Sequence, residues 1–353
     1  MNKLFFQENK NVIQLKQVVL MSSYAELKAK IIQVASLNHT PVVGEFELTS
    51  QCNFSCPMCY VKDNRVKNEL STDEWKSLFE EAVNVGLVFG LLTGGEALLR
   101  PDFCELYAFL HDRGVRLTVY TNGYHIRDEH IEAFKKRPPD FVAITLYGKN
   151  DATYHQVTGM NDGFSRVKAN ILRLKEHKIP VVVRVIPIPE VYKDLDDILT
   201  FTHEHSLPLG YFLYIAPSIH TDHLHRLTPS ELVDFEDKIL KMQGKDRSSV
   251  NREFDCTKTC AAFKSGYAIN HLGYMQPCTL LGIPQKKVEP NAFLETFLHL
   301  SETWDNLDTC QDCRECALNT TCIPCKARLY YEGSLKNCAP YLRAFAQKRR
   351  DLK

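Results

Sequence analysis

The sequence lacks any apolar stretch long enough to cross a bilayer. A membrane-spanning helix needs about 20 predominantly apolar residues, and no segment of the 353-residue chain approaches that length. The opening segment, MNKLFFQENKNVIQLK, has no sustained apolar core and no small-residue cleavage site, so it does not resemble a signal peptide. We therefore expect a cytoplasmic protein that has no membrane partner.

The chain also has no excess of charge of either sign. It contains 43 Lys and Arg residues and 43 Asp and Glu residues, which gives a formal net charge of zero at pH 7. Nucleic-acid-binding proteins usually carry a basic surface, so we expect no nucleic-acid partner. Hydrophobic residues make up 44% and charged residues 24%, which is typical of a globular protein with room for one large domain and a small one.

Cysteine, by contrast, is abundant. The chain has 13 cysteines, and nine of them fall between positions 256 and 338. In a chain without a recognisable secretory signal, this number favours metal ligation in a reducing compartment over disulfide bonds. The concentration of cysteines in the last third of the sequence predicts a small metal-binding domain there.

Short β-branched runs alternate with amphipathic helical segments over the first two thirds of the chain. Repeated alternation predicts a parallel sheet with right-handed crossovers. Six units are fewer than the eight of a complete barrel, and periodicity alone leaves an open doubly wound sheet and a partial barrel as alternatives. The predicted strands are 42–49, 86–93, 115–121, 141–147, 180–188 and 211–216.

Changes in composition divide the chain into four segments. Residues 1–41 form an N-terminal helical extension, with a helix expected over 22–37, and residues 42–242 form the α/β domain. A polar linker then leads into the cysteine-rich domain, residues 243–345. Residues 346–353 are a basic tail, whose sequence favours a frayed helix end over a binding patch.

Cys52, Cys56 and Cys59 directly follow the first predicted strand. In parallel α/β folds, ligand sites lie at the carboxyl ends of strands. A [4Fe–4S] cluster is normally held by four thiolates, so three crowded thiolates leave one iron open to another ligand. The alternatives from spacing alone are three buried thiols or part of a zinc site.

Thr93, Gly94, Gly95 and Glu96 follow the second predicted strand. A glycine pair lets the backbone approach a ligand closely, and a glutamate accepts hydrogen bonds from an ammonium group. Taken alone, glycines after a strand more often mark a tight turn.

The spacing C-x3-C-x2-C, followed by Gly-Gly-Glu, resembles the radical S-adenosylmethionine (SAM) superfamily. The resemblance implies that SAM binds the open iron and is cleaved reductively to a 5′-deoxyadenosyl radical. It also implies that Gly94, Gly95 and Glu96 hold the SAM amino group. Further SAM contacts implied by the resemblance are Met58, Thr121, Asn122, Thr145 and Arg184. A solvent-facing arginine at the strand edge remains the alternative for Arg184.

The later cysteines resemble the SPASM domain, which carries two auxiliary [4Fe–4S] clusters. The motif continues through Gly273, and it departs from the family pattern by one residue between Cys322 and Cys325. The resemblance implies a nearer cluster held by Cys256, Cys260, Cys278 and Cys325, and a farther one held by Cys313, Cys316, Cys322 and Cys338. A four-cysteine zinc site is the alternative.

Cys310 precedes this set and has no place in the pattern. It is an unused thiol, a substitute ligand or, as a catalytic residue, a hydrogen-atom donor.

The resemblance as a whole implies a partial (β/α)6 TIM-like barrel with a SPASM domain packed over its open end. It implies an oxidoreductase that matures a ribosomally made peptide by cross-linking, thioether formation or epimerisation. A ferredoxin- or flavodoxin-type protein would supply electrons, and recognition of the peptide leader would need another surface of the chain or a separate protein. Radical oxidation or rearrangement of a small biosynthetic molecule is one alternative, and a non-catalytic metal-binding scaffold is another.

Overall fold

The computed structural model describes residues 23–61, 65–217, 225–247, 260–307, 310, 312–322 and 325–352. Among the predicted site residues, Cys256 lies outside the described residues. Within the described ranges, no helix is long and apolar enough to span a membrane.

The centre of the molecule is a nine-stranded sheet in the order β6-β5-β4-β3-β2-β1-β7-β8-β9. The strands β1 to β6 follow one another in chain order and are parallel throughout, as the strand–helix alternation predicts. The strands are β1 Val43–Glu47, β2 Phe89–Thr93, β3 Arg116–Thr121, β4 Phe141–Thr145, β5 Val181–Val185, β6 Leu209–Tyr211, β7 Gly266–Ile269, β8 Tyr274–Gln276 and β9 Lys286–Lys287.

Helices connect the parallel strands and continue after them. The helices are α1 Tyr24–Leu37, α2 Thr72–Asn84, α3 Phe103–His111, α4 Asp128–Lys136, α5 Asp151–Thr158, α6 Gly163–Glu176, α7 Pro189–Lys193, α8 Leu195–Glu204, α9 Pro229–Met242, α10 Phe293–Asp305, α11 Asp312–Glu315, α12 Lys326–Tyr331 and α13 Pro340–Asp351. A 3-10 turn spans Ala97–Leu99.

The helix boundaries follow local capping chemistry. Ser71 and Glu74 form the capping box expected from the sequence: the Glu74 backbone N–H donates to Ser71 Oγ (3.3 Å) and the Ser71 backbone N–H donates to Glu74 Oε2 (2.8 Å). Thr228 and Glu231 make the same reciprocal pair at the start of α9. These caps fix where α2 and α9 begin.

The six parallel strands do not close on themselves. Strand β6 is an edge, and the free side of β1 pairs with β7 from the C-terminal region. The fold is therefore a partial (β/α)6 barrel. Aromatic side chains fill the space between β1 and α2, where the Phe46 ring lies 4.9 Å from that of Phe79 and 6.2 Å from that of Trp75, edge to face.

The N-terminal helix α1 lies at the end of the barrel opposite the functional loops. Tyr24 Oη donates to Asp140 Oδ2 (2.6 Å), and Lys28 lies 4.6 Å from the Phe89 ring. Asp140 directly precedes β4 and Phe89 begins β2. The helix therefore covers the amino ends of the strands.

The cysteine-rich region extends the barrel sheet. Strand β7 pairs in parallel with β1, with Val43 opposite Gly266 and Phe46 opposite Ile269. Strands β8 and β9 then continue the sheet in antiparallel pairing. The sequence predicts a second unit packed over the open end of the barrel. In the structure this region also contributes β7, β8 and β9 to the same sheet as the barrel strands.

The C-terminal segment is not a frayed basic tail. Residues 346–351 are the second half of α13, and Arg349 is only 3% exposed. Its guanidinium donates to both carboxylate oxygens of the fully buried Glu236 on α9 (2.9 and 2.8 Å) and to the Thr321 carbonyl oxygen (2.5 Å). The expectation was wrong because the basic run carries a buried ion pair with a residue over 100 positions away.

Candidate active site

The cysteine triplet lies in the segment that follows β1. Residues 48–61 form turns and bends that are fixed by short-range hydrogen bonds. The Cys59 backbone N–H donates to the Cys56 carbonyl oxygen (3.2 Å), and the Phe54 backbone N–H donates to Cys52 Sγ (3.4 Å). Cys56 is buried, and Cys52 and Cys59 are partly exposed. We refer to residues 48–61 as the cysteine loop.

The three thiols lie within electrostatic range of one another. Burial raises the pKa of the Cys52 thiol to about 11 and raises that of Cys56 further. The Cys59 thiolate raises the pKa of both, and Cys52 raises that of Cys56. Ligation to a metal lowers thiol pKa values and removes this mutual repulsion. The donor set therefore fits a metal centre as its partner.

The glycine pair lets the loop after β2 lie against the cysteine loop. A Cβ atom at Gly94 would lie 2.4 Å from the Thr49 carbonyl oxygen, and one at Gly95 would lie 2.3 Å from that of Gln51. Both distances are far inside van der Waals contact. The backbone N–H of Gly95 donates to the Thr49 carbonyl oxygen (2.6 Å). The two glycines thus allow the loop after β2 to approach the backbone of the cysteine loop. Their contact with SAM stays a prediction.

Glu96 is a buried carboxylate that joins the loop after β2 to the end of β3. It is 1% exposed and accepts hydrogen bonds from Leu98 N (3.0 Å), Thr121 Oγ1 (2.7 Å) and Asn122 N (2.6 Å). Burial raises the pKa of this carboxyl, and the Asn122 and Thr121 hydrogen bonds oppose that shift. The carboxylate also raises the pKa of Cys52, which places it near the triplet.

Asn122 connects the end of β3 to the cysteine loop. Its Nδ2 donates to Asn53 Oδ1 (2.8 Å) and lies 3.8 Å from Cys52 Sγ. Glu96 therefore binds the backbone N–H of Asn122, and the Asn122 side chain binds the cysteine loop through Asn53. The structure brings the Gly-Gly-Glu motif, the Thr121–Asn122 pair and the triplet together.

Arg184 lies on β5 with its side chain between two aromatic rings. Its guanidinium carbon is 4.1 Å from the Tyr120 ring centroid and 4.4 Å from that of Phe212. Thr145, at the end of β4, is its register partner. Burial lowers the pKa of Arg184 and the Glu45 carboxylate opposes that shift, although within the described ranges Arg184 forms no salt bridge. An unpaired, half-buried guanidinium fits a carboxylate ligand better than a solvent-facing role.

A cavity of about 540 Å³ opens beside the triplet. Met58 and Cys59 line it on the barrel side, and Gln276, Thr279 and Tyr331 line it from the C-terminal region. Met58 and Cys59 of the cysteine loop therefore face a cavity that is large enough for a side chain or a small molecule.

Two glutamates of β1 were missed by the sequence analysis. Glu45 and Glu47 alternate with Phe46 and Leu48, so both carboxyls lie on the face of β1 opposite the aromatic core. Burial raises the pKa of both carboxyls, that of Glu47 to about 7. The signal was present: two acids at alternate positions of a strand that leads directly into the triplet.

The described C-terminal cysteines fall into two groups by their electrostatic contacts. Burial raises the pKa of Cys260 and raises that of Cys278 to about 12, and Cys325 adds a smaller increase to the pKa of each. Cys313 is influenced by Cys310, Cys322 and Cys338 instead. The division follows the two ligand sets implied by the sequence, with Cys310 added to the farther one.

Cys310 is 2% exposed and lies among Tyr214, Leu329 and Leu342. Its thiol makes a hydrogen bond with Cys313. Across the described ranges, no three His, Cys, Asp or Glu side chains surround a single metal-ion position. A cubane cluster takes one thiolate on each iron, so its ligands need not converge on one atom.

The sequence of residues 46–202 matches the family model of the radical SAM superfamily. This span contains the triplet, the Gly-Gly-Glu motif, Asn122 and Arg184. Residues 46–202 therefore form a radical SAM domain. The chain is an enzyme whose cofactors are SAM and a [4Fe–4S] cluster, and this excludes the non-catalytic scaffold. The three clustered thiols and the unpaired guanidinium of Arg184 fit these two groups.

Two curated proteins are similar to the chain over most of its length. The AdoMet-dependent heme synthase of Methanosarcina barkeri (strain Fusaro) is 22% identical over 334 residues, which cover 84% of this chain and 94% of that protein. The sporulation killing factor maturation protein SkfB of Bacillus subtilis is 26% identical over 262 residues, which cover 70% of this chain and 62% of SkfB.

The fold resembles that of the solved structures of SuiB. SuiB of Streptococcus suis, in its structure with S-adenosylmethionine, matches with a TM-score of 0.72 and 16% identity, covering 96% of this chain and 88% of SuiB. SuiB bound to the precursor peptide SuiA matches with a TM-score of 0.67 and 15% identity, and the match covers 97% of this chain and 83% of SuiB. The similarity extends over the barrel and the cysteine-rich region alike.

Proposed function

We propose that this radical SAM enzyme modifies a ribosomally synthesised peptide. The observation that carries the proposal is the cavity beside Cys59, because its walls come from both the cysteine loop and the C-terminal region. A peptide side chain placed there would face the site of radical formation. Similarity to the maturation protein SkfB over 70% of the chain supports a peptide as the substrate class.

The cofactor cluster would be held by Cys52, Cys56 and Cys59. When bound there, it supplies the electron that cleaves SAM to methionine and a 5′-deoxyadenosyl radical. The chain's own part is positioning: Glu96 and Asn122 hold the cysteine loop in place through the 2.6 Å and 2.8 Å hydrogen bonds described above. Arg184 would pair with the SAM carboxylate, and Met58 would lie against the nucleotide.

The C-terminal cysteines would hold two further [4Fe–4S] clusters. The support is the observed grouping of Cys260 and Cys278 with Cys325, and of Cys313 with Cys322 and Cys338. Cys256 would complete the nearer set and Cys316 the farther one. A reduced ferredoxin- or flavodoxin-type protein would supply electrons in the cytoplasm, and a separate leader-binding protein would deliver the peptide.

The experiment is an anaerobic reconstitution followed by an iron count and an assay for 5′-deoxyadenosine with dithionite. Three cubanes predict about twelve irons per chain, and about four would overturn the auxiliary clusters alone. The triple variant Cys52→Ala/Cys56→Ala/Cys59→Ala should form no 5′-deoxyadenosine. Candidate peptides encoded beside the gene are then incubated with enzyme and SAM, and a mass change on the peptide supports the proposal.

A small-molecule substrate is the second candidate. The observation that favours it is the heme synthase relative, which aligns along 84% of the chain. The same assay separates the two: turnover of an iron porphyrin precursor, without mass change in any neighbouring peptide, would replace the first proposal by the second.

A further inference from the structure

Glu47 is a buried carboxylate that the chemistry described so far does not use. It is the last residue of β1, it is 5% exposed, and it lines the cavity beside Met58 and Cys59. Its position places a formal negative charge next to the space in which the substrate would react.

The hydrogen-bond donors to Glu47 are both neutral. Tyr60 Oη donates to Oε1 (2.7 Å) and Gln276 Nε2 donates to Oε2 (3.4 Å). Neither donor brings a positive charge. Across the part of the chain that the structure describes, Glu47 makes no ion pair.

Two basic side chains line the cavity, and both lie away from an ion pair with Glu47. Arg65 Nη2 donates to the Phe54 carbonyl oxygen (2.7 Å). Burial lowers the pKa of His271, which favours its neutral form. Among the described lining residues these are the two basic groups, and neither forms an ion pair with Glu47.

A second carboxylate increases the negative charge at this place. Glu45 lies two residues earlier on the same face of β1 and accepts a hydrogen bond from the Thr279 backbone N–H (3.2 Å). Glu45 raises the pKa of Glu47, in addition to the larger effect of burial. A buried charge without a counter-ion is costly, and a ligand that carries a positive charge would remove that cost.

We propose that Glu47 is the residue with which the cavity binds a cationic side chain, an ammonium or guanidinium group, of the peptide substrate. The inference rests on the proposed function and deepens it. The carboxylate would accept a charge-assisted hydrogen bond from the cation, and such bonds are shorter and stronger than neutral ones. Glu47 thereby selects the side chain that is held beside the radical.

A purely structural role for Glu47 is the competing explanation. The Tyr60 hydrogen bond ties β1 to the residue that follows Cys59, so Glu47 could serve only to anchor the cysteine loop. Two variants separate these roles. Glu47→Gln keeps the size and an acceptor oxygen for Tyr60 but removes the charge, and Tyr60→Phe removes the anchor but keeps the charge.

The experiment measures the equilibrium binding of short probe peptides to the reconstituted, SAM-loaded enzyme by anaerobic calorimetry. The probes are acetyl-Ala-X-Ala-amides in which X is lysine, arginine, or the neutral isosteres norleucine and citrulline. We expect the wild-type enzyme to prefer each cationic probe over its neutral isostere by about 10- to 100-fold. Glu47→Gln should abolish this preference, and Tyr60→Phe should retain it.

Glu295→Gln, an exposed glutamate of α10, is the matched control and should keep the preference. Thermal melts and iron content of each variant confirm that it is folded and loaded. Equal preference in wild type and Glu47→Gln, or equal binding of charged and neutral probes by the wild type, would overturn the role of Glu47 alone. No binding of any peptide would count against the peptide substrate itself, and the inference would fall with it.

Discussion

The backbone N–H of Asn122 lies 2.6 Å from a carboxylate oxygen of Glu96, and this bond joins the ends of β2 and β3. Because the Asn122 side chain in turn contacts Asn53 and Cys52, the Glu96 carboxylate holds the cysteine loop through Asn122. The Glu96 backbone N–H adds a direct hydrogen bond to the Gln51 carbonyl oxygen (2.8 Å). The Gly-Gly-Glu motif therefore has a structural task in this chain beside any contact with SAM.

We expect Glu96→Ala to destabilise the protein by about 3 kcal/mol, because three buried donors lose their acceptor. Denaturant unfolding and the iron content of reconstituted protein measure the effect, and both should fall. Glu302→Ala on the exposed face of α10 is the control. Unchanged stability in Glu96→Ala would show that water replaces the carboxylate without cost.

The glycine pair gives a second prediction. Gly95→Ala should displace the cysteine loop, because the new Cβ would lie 2.3 Å from the Gln51 backbone oxygen, which cannot rotate away. We expect a loss of about 1–3 kcal/mol and poor loading of the barrel cluster. Gly210→Ala, whose nearest contact would be 3.6 Å, should behave as wild type. Full iron loading in Gly95→Ala would contradict the close approach.

The sequence predicts the barrel well because each parallel strand is a short apolar run between helices with recognisable caps. The strands at 42–49, 86–93 and 115–121 contain the observed β1, β2 and β3. It could not predict that β7 pairs with β1, since the two segments lie more than 200 residues apart and nothing local specifies the pairing. The role of Arg349 was missed for the same reason: its partner Glu236 is set by tertiary packing.

In the candidate site, too, local motifs could be predicted from the sequence and contacts between distant segments could not. The spacing of Cys52, Cys56 and Cys59 is local, and a motif of this kind can be read from the sequence. The contact between Asn122 and Cys52 depends on three strands ending at one edge of the sheet. The proposed role of Glu47 could not be predicted because it depends on the cavity beside the residue, and the spacing of residues in the sequence does not indicate a cavity.

Arg184 gives a prediction about SAM binding. Arg184→Met should weaken SAM affinity by about 10- to 100-fold, because it removes a charge-assisted hydrogen bond to the carboxylate. Equilibrium dialysis with the reconstituted protein measures the affinity. Arg166→Met is a matched control, since Arg166 also stacks on a tyrosine, 4.5 Å from the Tyr124 ring, but is exposed. Equal SAM affinity in both variants would remove Arg184 from the site.

The C-terminal helix gives a prediction about stability. Arg349→Met should cost about 3–5 kcal/mol, because it leaves the buried Glu236 with one partner, Arg247 at 3.0 Å. Arg350→Met, one residue later and exposed, should cost less than about 0.5 kcal/mol. Urea unfolding of the two variants makes the comparison. Similar midpoints would restore the frayed-tail interpretation that the structure overturns.

Glu47 gives a prediction about pH. Its pKa is raised from 4.5 to about 7 in the folded protein, mainly by burial, with Glu45 adding to the shift and the Tyr60 and Gln276 hydrogen bonds opposing it. The unfolded chain therefore releases this proton at lower pH than the folded protein. The stability contributed by the protonated group is present in full below pH 4.5 and is lost as the pH rises to about 7.

The loss should amount to on the order of 3 kcal/mol. Glu47→Gln imitates the protonated form at every pH, so the difference in unfolding free energy between variant and wild type isolates this group. We expect the unfolding free energy of the variant to increase relative to that of the wild type between pH 5.5 and 7. From pH 7.5 to 8.5 the difference between the two should stay constant. Tyr331 also faces the carboxylate, and it stays protonated over this range because burial raises its pKa. A difference that does not change with pH would mean that Glu47 is already charged at pH 5.5 and is stabilised by a cation within the folded chain.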